Sequence, residues 1–350
     1  MSQCKWMTQV TVCLFAAMAT AMSVSLSTAA DPEPGTEAAR LATYKNGGKT
    51  TFALSLRPRH KSTPSAANEL LIMFDTSASQ AGLFRKDAVS ALKRLVSQLN
   101  ANDRVKLVAV DVNAVDLNSS FVAPGSAETK SAMTKLAKRV PLGSTDMMAA
   151  LKNALAAFDA ANSLPRHVIY IGDGMSKASV IDTEEFTTAI QGLTKKKISF
   201  SSYAIGPDMD IALLAAIANQ TGGNIIIDTD EVGISDRAAD FLVSTARGTV
   251  YWPGKVSFPK EMVESYPSSI PPLRSDRDVI LVGNLSNAGE FKVSCEVMVD
   301  GETLQMSWPV KSEASNADFS FLPKLVEQAR ADKGVTLPTL GSTGLREAGR

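Results

Sequence analysis

The sequence predicts an α/β fold, a doubly wound and mainly parallel sheet flanked by helices, followed by a small β-rich unit. Three observations lead there. From Glu69 to about Ala246, short apolar runs alternate with stretches of helical spacing. Four of the five strand-like runs are nearly continuous apolar sequence, the pattern of strands covered on both faces. After Gly248 the helical texture stops, and β-rich runs separated by turn residues take over.

Residues 31 to about 48 are small, polar and charged and read as a flexible lead-in. Thr50 to Leu56 alternates enough for an edge strand and 57–68 reads as a loop, which makes 31–68 a linker with one edge strand. Strands are expected at Leu70 to Phe74, Val105 to Val110, His167 to Ile171, Ser199 to Ile205 and Asn224 to Ile227. Helices are expected near Leu83 to Leu99, Glu128 to Arg139, Met147 to Ala161, Thr183 to Lys195, Ile211 to Thr221 and Ser235 to Thr245. Buried strands separated by helices require helices on both faces of the sheet, so 69–247 forms one domain.

Residues 248–311 then form an antiparallel β unit, with runs at Val250 to Trp252, Val279 to Val282, Phe291 to Val299 and Leu304 to Val310. Trp252 and Trp308 are expected in its core. The tail, 312–350, begins a helix near Leu322 to Lys333 and breaks at Gly334 and Pro338, with no evident surface to pack on.

Lysine plus arginine equals aspartate plus glutamate at 36 each, so no global field draws the chain to nucleic acid or an anionic membrane. The N-terminus has the parts of a secretory signal: Lys5 as its only charge, an apolar run from Val10 to Leu26, and small residues ending at Thr28-Ala29-Ala30. A signal peptide over 1–30 implies export to the periplasm or cell exterior, with no stable membrane insertion after cleavage. Retention as an anchor is the alternative, because the run is near the lower limit for spanning. Cys4 and Cys13 lie in this segment, which leaves Cys295 alone among alternating apolar residues as a buried structural thiol.

The first strand of the α/β region ends in Asp75-Thr76-Ser77-Ala78-Ser79, and the strand His167 to Ile171 runs into Gly172-Asp173-Gly174. In open α/β sheets, ligands bind beyond the carboxyl ends of strands where chain order reverses. If these two strands are neighbours there, Asp75 and Asp173 face each other. Gly143-Ser144-Thr145-Asp146 adds a hydroxyl on a loop at a helix start. Two carboxylates and three hydroxyls are an all-oxygen set suited to Mg²⁺, Ca²⁺ or Mn²⁺ and poorly suited to zinc or copper. An open coordination position can accept a carboxylate from a partner. Each element also has a bland reading: Ser77 or Ser79 could cap the following helix, Thr145 or Asp146 the next, and Asp173 could be a turn residue.

At these residues the chain resembles the von Willebrand factor A family, also called the integrin I-domain family. Its metal ion-dependent adhesion site reads Asp-x-Ser-x-Ser, a threonine after a Gly-rich turn, and an Asp-Gly after a central strand. The resemblance implies a Rossmann-like fold, metal ligation by Asp75, Ser77, Ser79, Thr145 and Asp173, and a protein partner offering an Asp or Glu carboxylate. Ser202-Tyr203-Ala204-Ile205-Gly206 and the helix closing in Thr221-Gly222-Gly223 are similar to the family too. Gly172 departs from it, standing where many members have threonine or serine. The β-rich segment is loosely similar to the region after this module in inter-alpha-trypsin-inhibitor-like proteins.

The expected function is therefore metal-dependent protein binding, not catalysis. His60 and His167 are the only histidines, and no glycine-rich phosphate fingerprint follows the first strand. The alternatives are a metal-independent envelope scaffold and a metal-dependent hydrolase. Lys195-Lys196-Lys197, between a helix and a strand, reads as a solvated end that complements the helix dipole.

Overall fold

The structure, a computed structural model, describes residues 38–337 apart from 61–63, 160, 161 and 230. The expected signal peptide and the end of the tail fall in 1–37 and 338–350, outside the described residues. The first elements are β1 (Ala39–Asn46), β2 (Lys49–Leu56), β3 (Glu69–Asp75), α1 (Leu83–Gln98), β4 (Arg104–Val110), β5 (Ala114–Asp116) and α2 (Ala127–Lys138). Next come α3 (Met147–Ala157), β6 (Arg166–Gly172), α4 (Thr183–Lys195), β7 (Ile198–Ala204), α5 (Ile211–Thr221), β8 (Ile225–Ile227) and α6 (Ile234–Arg247). The chain continues through β9 (Val250–Ser257), β10 (Met262–Tyr266), β11 (Leu273–Arg274), β12 (Val279–Leu285), β13 (Glu290–Val299), β14 (Glu302–Ser315) and α7 (Leu322–Asp332).

The doubly wound sheet has the order β5-β4-β3-β6-β7-β8, parallel except for the short edge strand β5. Its first strand, β3, has β4 on one side and β6 on the other, so the winding reverses between β3 and β6. Strand alternation feeds two cores. Leu70, Ile72 and Phe74 pack with Leu92 of α1 and Leu242 of α6, while Leu71 and Met73 pack with Leu151, Ile190 and Ile217 of α3, α4 and α5. Burial on both faces is what the continuous apolar runs required.

The remaining strands form a second sheet, β10-β12-β2-β1-β14-β13-β9-β11. Residues from both of its halves, such as Phe52, Leu54, Leu281, Cys295 and Trp308, share one cluster, so the sheet folds over its own core. Here two expectations are corrected. β2 is an interior strand between β1 and β12, not an edge. The supposed flexible lead-in holds β1, joined to β2 by Gly47-Gly48, both at positive φ as a two-residue hairpin turn requires. β1 also pairs in parallel with β14, which ties residues before the α/β unit to residues after it.

The tail helix has a surface after all. Leu322, Val326 and Ala329 of α7 pack on Val282 of β12, with Leu337 beside them. Trp308 is buried and donates its indole N–H to Arg57 O at 2.9 Å, but Trp252 is only half-buried. Cys295 is buried, and burial pushes its thiol up to about 11. No helix among the described residues is long and apolar enough to cross a membrane.

Two buried arginines join the sheets. Arg274, 0% exposed, donates to Gly222 O (3.3 Å) and Thr245 O (3.0 Å), carbonyls at the ends of α5 and α6, and pairs with Asp276 at 2.6 Å. Arg277 donates to Gly223 O and Ala218 O at 2.9 and 3.3 Å. Burial, then the neighbouring Arg274 charge, pushes Arg277 down to about 10, which still leaves it charged at neutral pH. These guanidinium groups satisfy carbonyls that helix ends leave without partners. Arg274→Ala would orphan two of them and half-strip Asp276, so a loss of about 3 kcal/mol is expected, read as a lower urea midpoint with unchanged slope.

Candidate functional site

β3 and β6 run side by side with Phe74 opposite Ile171, so the residues that follow emerge together at the winding reversal. Asp75 and Asp173 are 0% and 1% exposed, and Ser77 and Thr145 are also buried, while Ser79 is half-buried. Asp75 Oδ1 accepts the Ser77 N–H at 2.8 Å, an Asx turn that curls the loop over the strand end. The loop before α3 joins it: Leu142 N–H donates to Thr76 O (2.9 Å), and Ala78 N–H to Gly143 O (3.0 Å). That brings the Thr145 hydroxyl to Asp75 Oδ2 at 2.9 Å.

The other half of the site is built in the same way. Ser77 Oγ lies 2.9 Å from Ser79 Oγ, and the Ser79 hydroxyl donates to Asp173 Oδ2. Asp173 Oδ1 accepts the Met175 N–H at 2.9 Å, and its carbonyl accepts the Asp210 N–H at 2.8 Å. All five residues named from the sequence are therefore within one hydrogen-bonded group. Of the capping alternatives one holds, since Asp146 caps α3 through the Ala149 N–H, whereas Ser77 makes no side-chain cap, α1 starts after Gly82, and Thr145 donates to Asp75 instead.

Sequence reasoning missed two participants, Tyr170 and Gln80, and left Gly172 unexplained. The Tyr170 hydroxyl reaches across from β6 to donate to Asp75 Oδ2 at 2.7 Å. Its only signal was a polar tip inside an otherwise apolar strand, which always needs a partner. Gln80 is buried, sends Nε2 to Ile205 O at 2.9 Å and toward Asp173 Oδ2 at 3.5 Å, and keeps Oε1 without a partner. Gly172 is where the family-like pattern broke, and the geometry accounts for it. A Cβ there would stand 2.3 Å from Asp75 Cβ and 2.7 Å from the Tyr170 hydroxyl. Tyrosine at 170 and glycine at 172 are thus one arrangement.

The electrostatics are uncompensated. Neither Asp75 nor Asp173 has a lysine or arginine at ion-pair distance among the described residues; their partners are hydroxyls and N–H groups. Arg85 acts on Asp75 through space but forms no ion pair with it; its Nη2 donates to Leu136 O, its Nη1 has no partner among the described residues, and the group lies 4.8 Å from the Phe74 ring. Burial above all, with the Asp173 charge adding, raises the Asp75 carboxyl above its ordinary range, against the pull of hydrogen bonds from Ser77 and Tyr170. Among the described residues no three His, Cys, Asp or Glu side chains gather as metal ligands. The set is instead two carboxylates and three hydroxyls, a hard-oxygen group lacking positive charge, and its residues fit a small divalent cation.

A carboxyl easier to protonate in the folded state stabilises the fold below its unfolded value, and this is lost as pH rises through the raised folded value. In chelator at pH 7, Asp75→Asn is therefore expected to melt higher than the wild type, by on the order of 2 °C. The gap should narrow as the pH falls toward 4. Gly172→Ala is expected to lose about 2–3 kcal/mol by overpacking, and adding Tyr170→Phe should not restore it, because the contact with Asp75 remains.

Comparison with known proteins bears on the α/β unit. A model of the von Willebrand factor type A domain matches residues 68–227. Inter-alpha-trypsin inhibitor heavy chain H2 of Sus scrofa is 26% identical over 161 residues, covering 44% of this chain and 17% of that protein. The Homo sapiens protein of that name is 24% identical over the same length and shares. The match thus spans 17% of the length of these curated relatives. The solved von Willebrand factor type A protein from Catenulispora acidiphila superposes with a TM-score of 0.55 at 15% identity, over 84% of this chain and 75% of that one, so the likeness of fold extends past the doubly wound sheet. The α/β unit of this chain is a von Willebrand factor type A domain.

Proposed function

We propose that this chain is a protein-binding module that holds a divalent cation, Mg²⁺ or alternatively Ca²⁺ or Mn²⁺, between Asp75 and Asp173 and uses it to engage an Asp or Glu of a partner. The observation that carries the reading is the pair of buried carboxylates at adjacent strand ends without an ion-pairing cation, roofed by Ser77, Ser79 and Thr145. Buried charge of one sign costs several kcal/mol per group unless it is neutralised, and a divalent ion does so at once. Bound there, the ion supplies a positive Lewis-acidic point to which a carboxylate oxygen can bind.

The surroundings suit a protein partner. Large apolar side chains stand exposed at this end of the sheet: Leu83 at the start of α1, and Val112, Val140, Leu142 (74% exposed) and Val180 (95% exposed) on the loops. Apolar groups around a polar centre are the composition of an interaction surface. Thr76 is held by Arg139 at 3.1 Å, and Arg139 pairs with Asp111 at 2.6 Å, which braces the loops that carry Leu142 and Val112. The N-terminal segment supports delivery of the module to the periplasm or cell exterior.

Calorimetry of the purified chain with Mg²⁺, Ca²⁺ and Mn²⁺ tests the site. The expected result is one saturable event in the wild type, lost in Asp75→Ala and weakened at least tenfold in Thr145→Ala. Equal binding by wild type and Asp75→Ala would sink the proposal. Capture of the partner should then fail in chelator; partners retained in chelator would assign the chain to metal-independent scaffolding.

A further inference from the structure

The lysine run that reads in sequence as a solvated helix end lines a cleft. At the opposite end of the parallel sheet, a cavity of about 810 Å³ opens between the starts of β3 and β6 and the second sheet at Trp252 of β9, Met298 of β13 and Asp300 in the turn that follows. Arg166, Lys195, Lys196, Lys197 and Arg247 all line it, and Asp300 is its one acidic lining residue. β6 spans seven residues, so this cleft is about 20 Å from the Asp75 and Asp173 pair.

The five cations are not neutralised by protein carboxylates. Arg166 donates to Lys196 O (3.1 Å), Asp159 O (2.8 Å) and Asn162 O (2.7 Å), which are all backbone acceptors. Arg247 donates to Gln98 O and Asn100 Oδ1 at 2.7 and 3.1 Å. Lys196 Nζ reaches Leu155 O at 2.8 Å, and Lys197 Nζ meets Met298 Sδ. None of the five forms an ion pair among the described residues, whereas eleven pairs form elsewhere. In a chain whose formal charge is zero, that concentration is local and unspent.

The dipole of α4 explains why lysines follow it, but not why Arg166 from β6 and Arg247 from α6 converge on the same space. Lys197 also holds a left-handed backbone, φ 54, a position glycine or asparagine takes at less cost, so a lysine is kept there against its local preference. His167 lines the cleft as a neutral ring, because burial first and the Arg274 charge second push it down to about 3. It adds nothing to the charge of the cleft.

The geometry points to an anion-binding site in this cleft, which takes a phosphate or sulfate group through Lys195, Lys197 and the charges of Arg166, Lys196 and Arg247. Several cations around one small oxyanion are the usual basis of such recognition, and the half-buried Trp252 lines the same cleft beside them. The site is independent of the metal proposal.

Titration of the full chain with inorganic phosphate and with phenyl phosphate, at low and high salt, tests it. Saturable binding that weakens with salt is expected, reduced at least tenfold in the Lys195→Gln, Lys197→Gln double variant, with no change in melting temperature. It should be unaltered in Asp75→Ala and tightened by Asp300→Asn. Tighter binding of phenyl phosphate would name an organic ester as the ligand; equal affinities would name the free oxyanion. Absence of saturable binding by both probes, or binding that the lysine variant leaves unchanged, would overturn the assignment.

Discussion

Parallel pairing of β3 with β6 is the constraint on which everything at the candidate metal centre depends. Its register sets Phe74 beside Ile171 and so delivers Asp75 and the Gly172-Asp173 turn to the same point. A shift by one residue would turn Leu71 and Met73 out of one core and Asp75 away from Asp173. The apolar faces of β3 hold that register from both sides, which is how an apolar strand can end in a buried charge. The fold spends hydrophobic burial to keep two like charges together.

Tyr170 and Gly172 show how closely the strand is fitted to this task. In β6, residues 170 and 172 project to the same face, and the phenol of the first occupies the space a side chain on the second would need. The result is a carboxylate fixed through Oδ2 by two hydroxyls and through Oδ1 by a backbone N–H, with little freedom to rotate. A carboxylate held this rigidly would lose little entropy on binding the proposed cation.

Much of this was legible in the residues. Continuous apolar runs named four of the five parallel strands because burial on both faces erases alternation, and the polar residues at their carboxyl ends then stood out. Tyr170 was not legible, since its role depends on which strand lies beside β6. The second sheet was less legible for a different reason. β1 reads Ala-Arg-Leu-Ala-Thr-Tyr-Lys-Asn, with few large apolar groups, although Asn46-Gly47-Gly48 before Lys49 is a hairpin signal. α7 had no visible place to pack because its surface is assembled from β12 and β2, distant in sequence. The lysine run looked like helix punctuation because nothing local reveals Arg166 and Arg247 beside it.

The parallel pairing of β1 with β14 makes the β-rich body discontinuous in sequence, with the whole doubly wound domain inserted between its second and third strands by position. A ribosome delivers the chain from its N-terminus, so the β1–β2 hairpin exists before either of its neighbours, and residues 57–278 must be made before β12 can cover β2. During that interval both hairpin edges carry open backbone donors and acceptors. The inserted domain, whose strand partners all lie within itself, can close first and shorten the gap between the hairpin and the strands it awaits. Closure of the β-rich body thus waits on the strands that follow the inserted domain, and the β1–β14 joint spans that whole domain.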